Sequence, residues 1–160
     1  MKKIGSIFLI CVLAVCCLSA CGGSSRAADA VSVGKKVMES ASGFPEMKTI
    51  DSSEKDADIN FTTLCDFDYD RVSSYYYAYS ADGTAPEFAI VSLKDNDDTA
   101  DLMSSLKDHV KTREGTMQEY SPDQVEMVSD YILTQQNGTV GLFIGKGAAE
   151  LEKTFKAALK

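Results

Sequence analysis

This 160-residue chain has no tryptophan, one histidine and only three prolines. A lone histidine cannot assemble the multi-histidine sites that commonly hold zinc. Positive charge is scarce too: 16 Lys and Arg stand against 24 Asp and Glu, a net charge of −8. A nucleic-acid binder displaces counterions from phosphates with a basic face, so that class is excluded. There is no Walker-type or dinucleotide glycine loop and no G-x-S-x-G nucleophile elbow. The apolar stretch Ile4–Ala20 is shorter than the roughly 20 residues a spanning helix needs. The length allows one modest domain and no second.

What the chain does have begins with an address. Lys2 and Lys3 precede the apolar run Ile4–Val15, and Leu18-Ser19-Ala20-Cys21 follows. Residues 1–20 therefore read as a secretory signal peptide. Leu18 stands three residues before a cut after Ala20, a position where the ordinary signal enzyme wants a small side chain. Leu18-Ser19-Ala20-Cys21 instead resembles the bacterial lipobox. That resemblance implies a diacylglyceryl thioether on Cys21, cleavage just before it, and a protein anchored by membrane lipid on the extracytoplasmic side of the cell membrane. Residues 21–29 are then the lipidated cysteine and a flexible tether containing Gly22-Gly23-Ser24-Ser25, and residues 30–160 are a single domain. Loss of Lys2 and Lys3 leaves 14 basic against 24 acidic side chains, a net charge of −10. Such a domain offers no polybasic patch, so stable attachment calls for more than one acyl chain.

Cysteine usage fits export. Cys11, Cys16 and Cys17 leave with the signal and Cys21 carries lipid, so Cys65 alone remains and no intrachain disulfide is expected. Asp66 beside it disfavours the thiolate, so Cys65 reads as a small buried hydrophobe.

The spacing of apolar residues predicts an α+β domain. A helix is expected over 30–41, capped by Asp29 and ended by Gly43 and Pro45. Residues 46–71 are acidic and weakly patterned, with a short helix around 57–64. Strands are expected over 72–80 and 87–93, joined by a turn at Asp82-Gly83, with Pro86 marking an edge or bulge. A long helix follows the acidic cap Asp95–Asp98, carrying the stripe Leu102, Met103, Leu106, Val110 and Met117. A short helix over 122–128 starts at Ser121-Pro122. Asn137-Gly138 then makes a two-residue hairpin that pairs Leu133 with Leu142. A last helix covers 148–160, with Leu151, Phe155 and Leu159 on one face. Two hairpins, each followed by a helix, give a four-stranded antiparallel sheet with helices mainly on one face.

These features together resemble a family of small Gram-positive lipoproteins catalogued as domain of unknown function 4358. The residues that carry the likeness are the lipobox, Ala85-Pro86-Glu87-Phe88-Ala89-Ile90-Val91, Tyr120-Ser121-Pro122 and Asn137-Gly138-Thr139-Val140. The likeness runs from Asp29 to the C-terminus. It implies lipid anchoring and an extracytoplasmic location, and it carries over no activity, cofactor or catalytic residue.

Asp66, Asp68 and Asp70 alternate like the start of a calcium loop. The sixth and twelfth positions, which need Gly and Glu, are Arg71 and Tyr77, so a solvated acidic edge partnered by Arg71 is expected instead of a metal site. His109 reads as an exposed or half-buried helical side chain without a catalytic partner. Gly145-Lys146-Gly147 could offer amides to an anion or simply turn the chain. The sequons at Asn60 and Asn137 carry no glycan in a bacterial lipoprotein. Alternation puts Tyr75, Tyr77 and Tyr79 on one strand face, beside Phe88 and Ile90 if Asp82-Gly83 is the turn. Val72, Tyr76, Ala89, Val91 and Leu93 line the other face. Either the N-terminal helix covers one of these faces, or the Tyr row is the core, or it is an exposed contact surface.

The expectation is therefore a non-catalytic binding or accessory module without cofactor or metal, whose partner is a protein or an envelope ligand. An envelope hydrolase with a dispersed site and a structural subunit of a membrane complex are the alternatives. A cleft holding a buried carboxylate would favour the hydrolase; a flat tyrosine surface would favour the module.

Overall fold

The computed structural model describes residues 27–160. Cys21, the signal segment and most of the tether lie outside the described residues. The elements run α1 (Ala30–Glu39), β1 (Met47–Asp51), α2 (Ala57–Phe61), β2 (Val72–Ser80), β3 (Glu87–Leu93), α3 (Thr99–Tyr120), α4 (Val125–Ser129), β4 (Ile132–Gln136), β5 (Thr139–Ile144) and α5 (Ala148–Ala158). The strands form one sheet in the order β1-β2-β3-β5-β4, with every neighbouring pair antiparallel.

Two expectations are corrected here. The sheet has five strands, not four, because Met47–Asp51 pairs with β2. An edge strand needs little apolar content, and Lys48 and Asp51 are the charges that keep an edge from pairing further. The helices are also divided between both faces. α1 and α5 cover one, where Val33, Val37, Leu151 and Phe155 meet Tyr76, Phe88, Ile90 and Phe143. α2, α3 and α4 cover the other, where Phe61, Leu102, Leu106, Val110 and Val128 meet Tyr75, Tyr77, Ala89, Val91 and Leu142. Every residue of β3 and β5 is buried. Strands covered on both sides read as continuous apolar runs, as EFAIVSL and TVGLFI do.

The β2–β3 register differs from the expected one by a single residue. Asp82-Gly83 does not close a two-residue turn; the connection runs from Ala81 to Pro86, with Ser80 N–H bonded to the Pro86 carbonyl at 3.1 Å. Asp82 accepts from the hydroxyls of Ser80 and Thr84 and from Thr84 N–H. Tyr77 therefore faces Ala89 and Tyr79 faces Glu87, while Phe88 and Ile90 pair with Ala78 and Tyr76. Because side chains alternate, a one-residue slip exchanges every partner. The β4–β5 hairpin keeps its expected register, Leu133 opposite Leu142. Asn137 (φ 52°) and Gly138 (φ 72°) both occupy the left-handed region that this turn requires.

α1 is fastened at its start. The Asp29 carboxylate accepts from Val31 N–H at 3.3 Å and Ser32 N–H at 3.2 Å, and Ala30 N–H donates to Ser74 Oγ at 2.9 Å. A bulge between Val72 and Ser74 presents that hydroxyl. Gly34 lets the helix lie against the sheet, since a Cβ there would run into the Tyr76 ring. The Ser32 hydroxyl holds the Asp29 carboxyl below its ordinary value of 3.8. A depressed folded-state value means that the cap stabilises above the unfolded pKa and is lost as pH falls through the folded one. Asp29→Ala is accordingly expected to cost about 1 kcal/mol in urea unfolding at neutral pH, and the difference from wild type should shrink as the pH falls below the ordinary carboxyl value of 3.8.

Candidate functional site

The site is assembled from β2, β3 and α3. Glu87, the first residue of β3, shares its strand face with Ala89 and Val91 and so points at α3. On α3, His109 and Arg113 are four residues apart and occupy one helix face. The Glu87 carboxylate holds both. Its Oε1 lies 2.5 Å from His109 Nε2, and its Oε2 lies 3.1 Å from Arg113 Nε. The Tyr77 hydroxyl donates to Glu87 Oε2 at 3.1 Å. Arg113 also donates from its terminal nitrogen to the Thr84 carbonyl at 3.0 Å, tying α3 to the β2–β3 connection. The Arg113 Nε–H is sealed from solvent and its bond vector is not aligned on an acceptor, so it touches Glu87 as a charge only.

Burial makes this group unusual. The Glu87 side chain is 1% exposed and that of His109 is 9% exposed. Acidic side chains are almost never buried unless paired, and here three partners converge on one carboxylate. Burial, followed by the negative charge and the hydrogen bond of Glu87, pushes the Tyr77 hydroxyl far above its ordinary pKa. The phenol is therefore a donor and stays protonated. The edge of one ring meets the face of the other where Tyr77 and His109 pack, with centroids 6.1 Å apart.

These groups floor a cleft of about 430 Å³ between β1, β2 and α3, whose rim includes Lys48, Tyr79 and Thr63. A second hollow of about 610 Å³ lies on the other side of His109, between α3 and the segment that follows α2, and is lined by Asp66, Asp101 and Asp108. Thr63, His109 and Thr112 line both hollows. His109 thus stands at the junction, one nitrogen on Glu87. Its Nδ1 has no protein partner and is not sealed from solvent. With Nε2 turned to the Glu87 carboxylate, Nδ1 is the nitrogen left for whatever enters.

The sequence-derived candidates are distributed differently from expectation. His109, expected as an exposed or half-buried helical side chain, is 9% exposed at its side chain and has in Glu87 a partner that the sequence did not reveal. Tyr75 and Tyr77 are buried in the core and Tyr79 is half-buried, which removes the exposed tyrosine surface. Asp66 is exposed, Asp68 caps a short turn by accepting from Asp70 N–H, and Arg71 pairs with Asp98 and Asp101 instead of with this trio. Among the described residues no group of three His, Cys, Asp or Glu side chains could hold a metal ion. Cys65 is buried, and desolvation pushes its thiol up to about 11. The Phe44 ring lies against Gly145 and Gly147, giving that turn a packing role. Asn60 donates to Glu54.

Glu87 and Arg113 are the functional residues that sequence reasoning passed over. Arg113 interrupts the period-3.6 series Leu106, Val110, Met117 at a core-facing position, and that interruption was the available signal. Glu87 would have stood out as a charge on the inner strand face only with the correct register.

Among the described residues no helix is long and apolar enough to cross a membrane. A family model described as Domain of unknown function (DUF4358) matches residues 47–145, a narrower reach than Asp29 to the C-terminus. No curated protein and no solved structure matches the chain.

Proposed function

The chain belongs to the family catalogued as domain of unknown function 4358, and from that premise we propose a lipid-anchored extracytoplasmic binding module. It is held at the membrane through Cys21 and takes a small ligand in the cleft above Glu87. The observation that carries this reading is the buried set Glu87, His109, Arg113 and Tyr77 at the cleft floor. Desolvating two charges costs several kcal/mol each, and apolar side chains of similar volume often stabilise a fold as well or better. A charged set that faces a cleft is therefore better explained by what the cleft receives.

Binding is favoured over hydrolysis by the state of the nearby nucleophiles. The Ser80 hydroxyl is donated to Asp82, Ser105 to the Asp66 carbonyl and Thr112 to the Asp108 carbonyl. The raised Cys65 thiol is protonated at neutral pH. A hydrolase remains the second reading because the Glu87–His109 pair has the geometry of an oriented general base.

Native mass spectrometry of the full chain, extracted gently from its membrane, tests the binding reading. A co-purifying small molecule is expected on wild type and absent from His109→Gln. A bare wild type that also binds no probe of either charge overturns it. Turnover of an envelope ester or amide, lost in His109→Gln, would replace it by the hydrolase. Anchoring has its own test: Cys21→Ser is expected to abolish palmitate incorporation and leave an uncleaved precursor. Normal maturation of that variant would mean ordinary signal cleavage.

A further inference from the structure

The two hollows that meet at His109 have opposite chemistry. The cleft over Glu87 is bordered by Lys48 and Arg113. The hollow beyond His109 is bordered by Asp66, Asp101 and Asp108. We infer that the joined groove holds a short peptide with free termini, its carboxylate at the Lys48 and Arg113 end and its ammonium at the Asp66 and Asp108 end. The inference rests on the binding reading above and names its ligand.

Three observations support this choice. The first is length. α3 rises about 1.5 Å per residue, so Asp108 and Asp101 lie about 7.5 and 18 Å along the helix from Arg113. An extended peptide advances about 3.3 Å per residue, which puts the termini of roughly two to five residues at those two ends. A single amino acid is too short to reach both.

The second is charge. In an acidic domain an anion meets repulsion nearly everywhere, and the cleft over Glu87 gathers two cations. Lys48 has no ion pair among the described residues, and Arg113, which pairs with the Glu87 charge, gives a hydrogen bond only to the Thr84 carbonyl. At the other end Asp66 is unpaired among the described residues. Asp101 and Asp108 are held by Arg71 and Lys111 in largely exposed pairs, which are weak enough to share with an incoming ammonium.

The third is the junction. His109 is more than nine-tenths buried, yet its Nδ1 has no protein partner and borders both hollows. A peptide spanning the groove brings its backbone amides past that nitrogen, with Thr63 at the same constriction. With Nε2 turned to Glu87, Nδ1 is left facing the groove, where a ligand amide can replace water as its partner.

Calorimetry on the full chain in detergent micelles, with tri-alanine as the probe, tests the assignment. Tri-alanine is expected to bind with a submillimolar constant, and N-acetyl and C-amide forms about tenfold more weakly or worse. Lys48→Ala should weaken the free peptide while leaving the amide unchanged, and Asp108→Asn should weaken the free peptide while leaving the acetyl form unchanged. Both substituted side chains are exposed, so folding is not at stake. Blocked peptides that bind as well as the free one overturn the inference. If tri-alanine does not bind but propionate or propylamine does, the peptide assignment fails and the cleft reading stands. If none of the three binds, the peptide assignment fails, and a bare wild type in the mass spectra then removes the cleft reading with it.

Discussion

Glu87→Ala is expected to lower the unfolding free energy by about 3–5 kcal/mol, the largest effect of any single charged residue in the domain. The loss comes from what is left behind. With the carboxylate gone, Arg113 keeps its charge in a pocket where its Nε–H already lacks an aligned acceptor. The Tyr77 hydroxyl and the His109 Nε2–H lose their acceptor as well, and each unsatisfied group costs about 1–3 kcal/mol. Urea unfolding of the variant checks the magnitude. A second substitution separates stability from purpose: replacing Glu87, His109 and Arg113 together by Leu, Phe and Met is expected to restore most of the loss, since matched apolar groups are often neutral there. That triple variant should fold well and hold no ligand. A loss below about 1 kcal/mol for Glu87→Ala would mean that water, not protein, already satisfies the cluster.

Tyr75→Ala is expected to cost about 3–5 kcal/mol, the range for deleting a buried aromatic ring. The side chain is 0% exposed. Its ring meets Phe61 with centroids at 5.1 Å and Tyr69 at 6.0 Å, and its hydroxyl donates to the Ala57 carbonyl at 2.9 Å. This residue therefore binds α2 and the following segment to the sheet. Tyr75→Phe isolates the hydrogen bond and should cost about 1 kcal/mol. Thermal melts of the pair give both terms. An unchanged midpoint for Tyr75→Ala would restore the tyrosine row as a contact surface and remove it from the core.

How much of this was readable in the sequence differs between elements. β2 and β3 have their expected bounds because their aromatic and β-branched runs are sharply limited by polar and turn residues. Asn137-Gly138 fixed its hairpin register because only left-handed residues suit that turn. β1 was missed since a short edge strand is joined to the sheet along one edge only, and Lys48 and Asp51 break the apolar alternation that would mark it. The register of β2 against β3 was misjudged because Asp82-Gly83 matches a two-residue turn locally, whereas the Ser80, Asp82 and Thr84 side chains stabilise a longer connection. That one-residue slip hid the site. It placed Glu87 on the wrong face, away from the Tyr row, so His109 had no visible partner. Cleft chemistry depends on which faces meet, and side-chain periodicity along one element cannot supply that.

α1 enters the fold on the sheet face opposite α3, clasped by Ser74 at its first amide. Were the chain moored at Cys21 as proposed, its first helix would begin on the side of the sheet away from the groove. An anchor entering from that side would leave the mouth turned from the lipid headgroups and open to solutes arriving from outside.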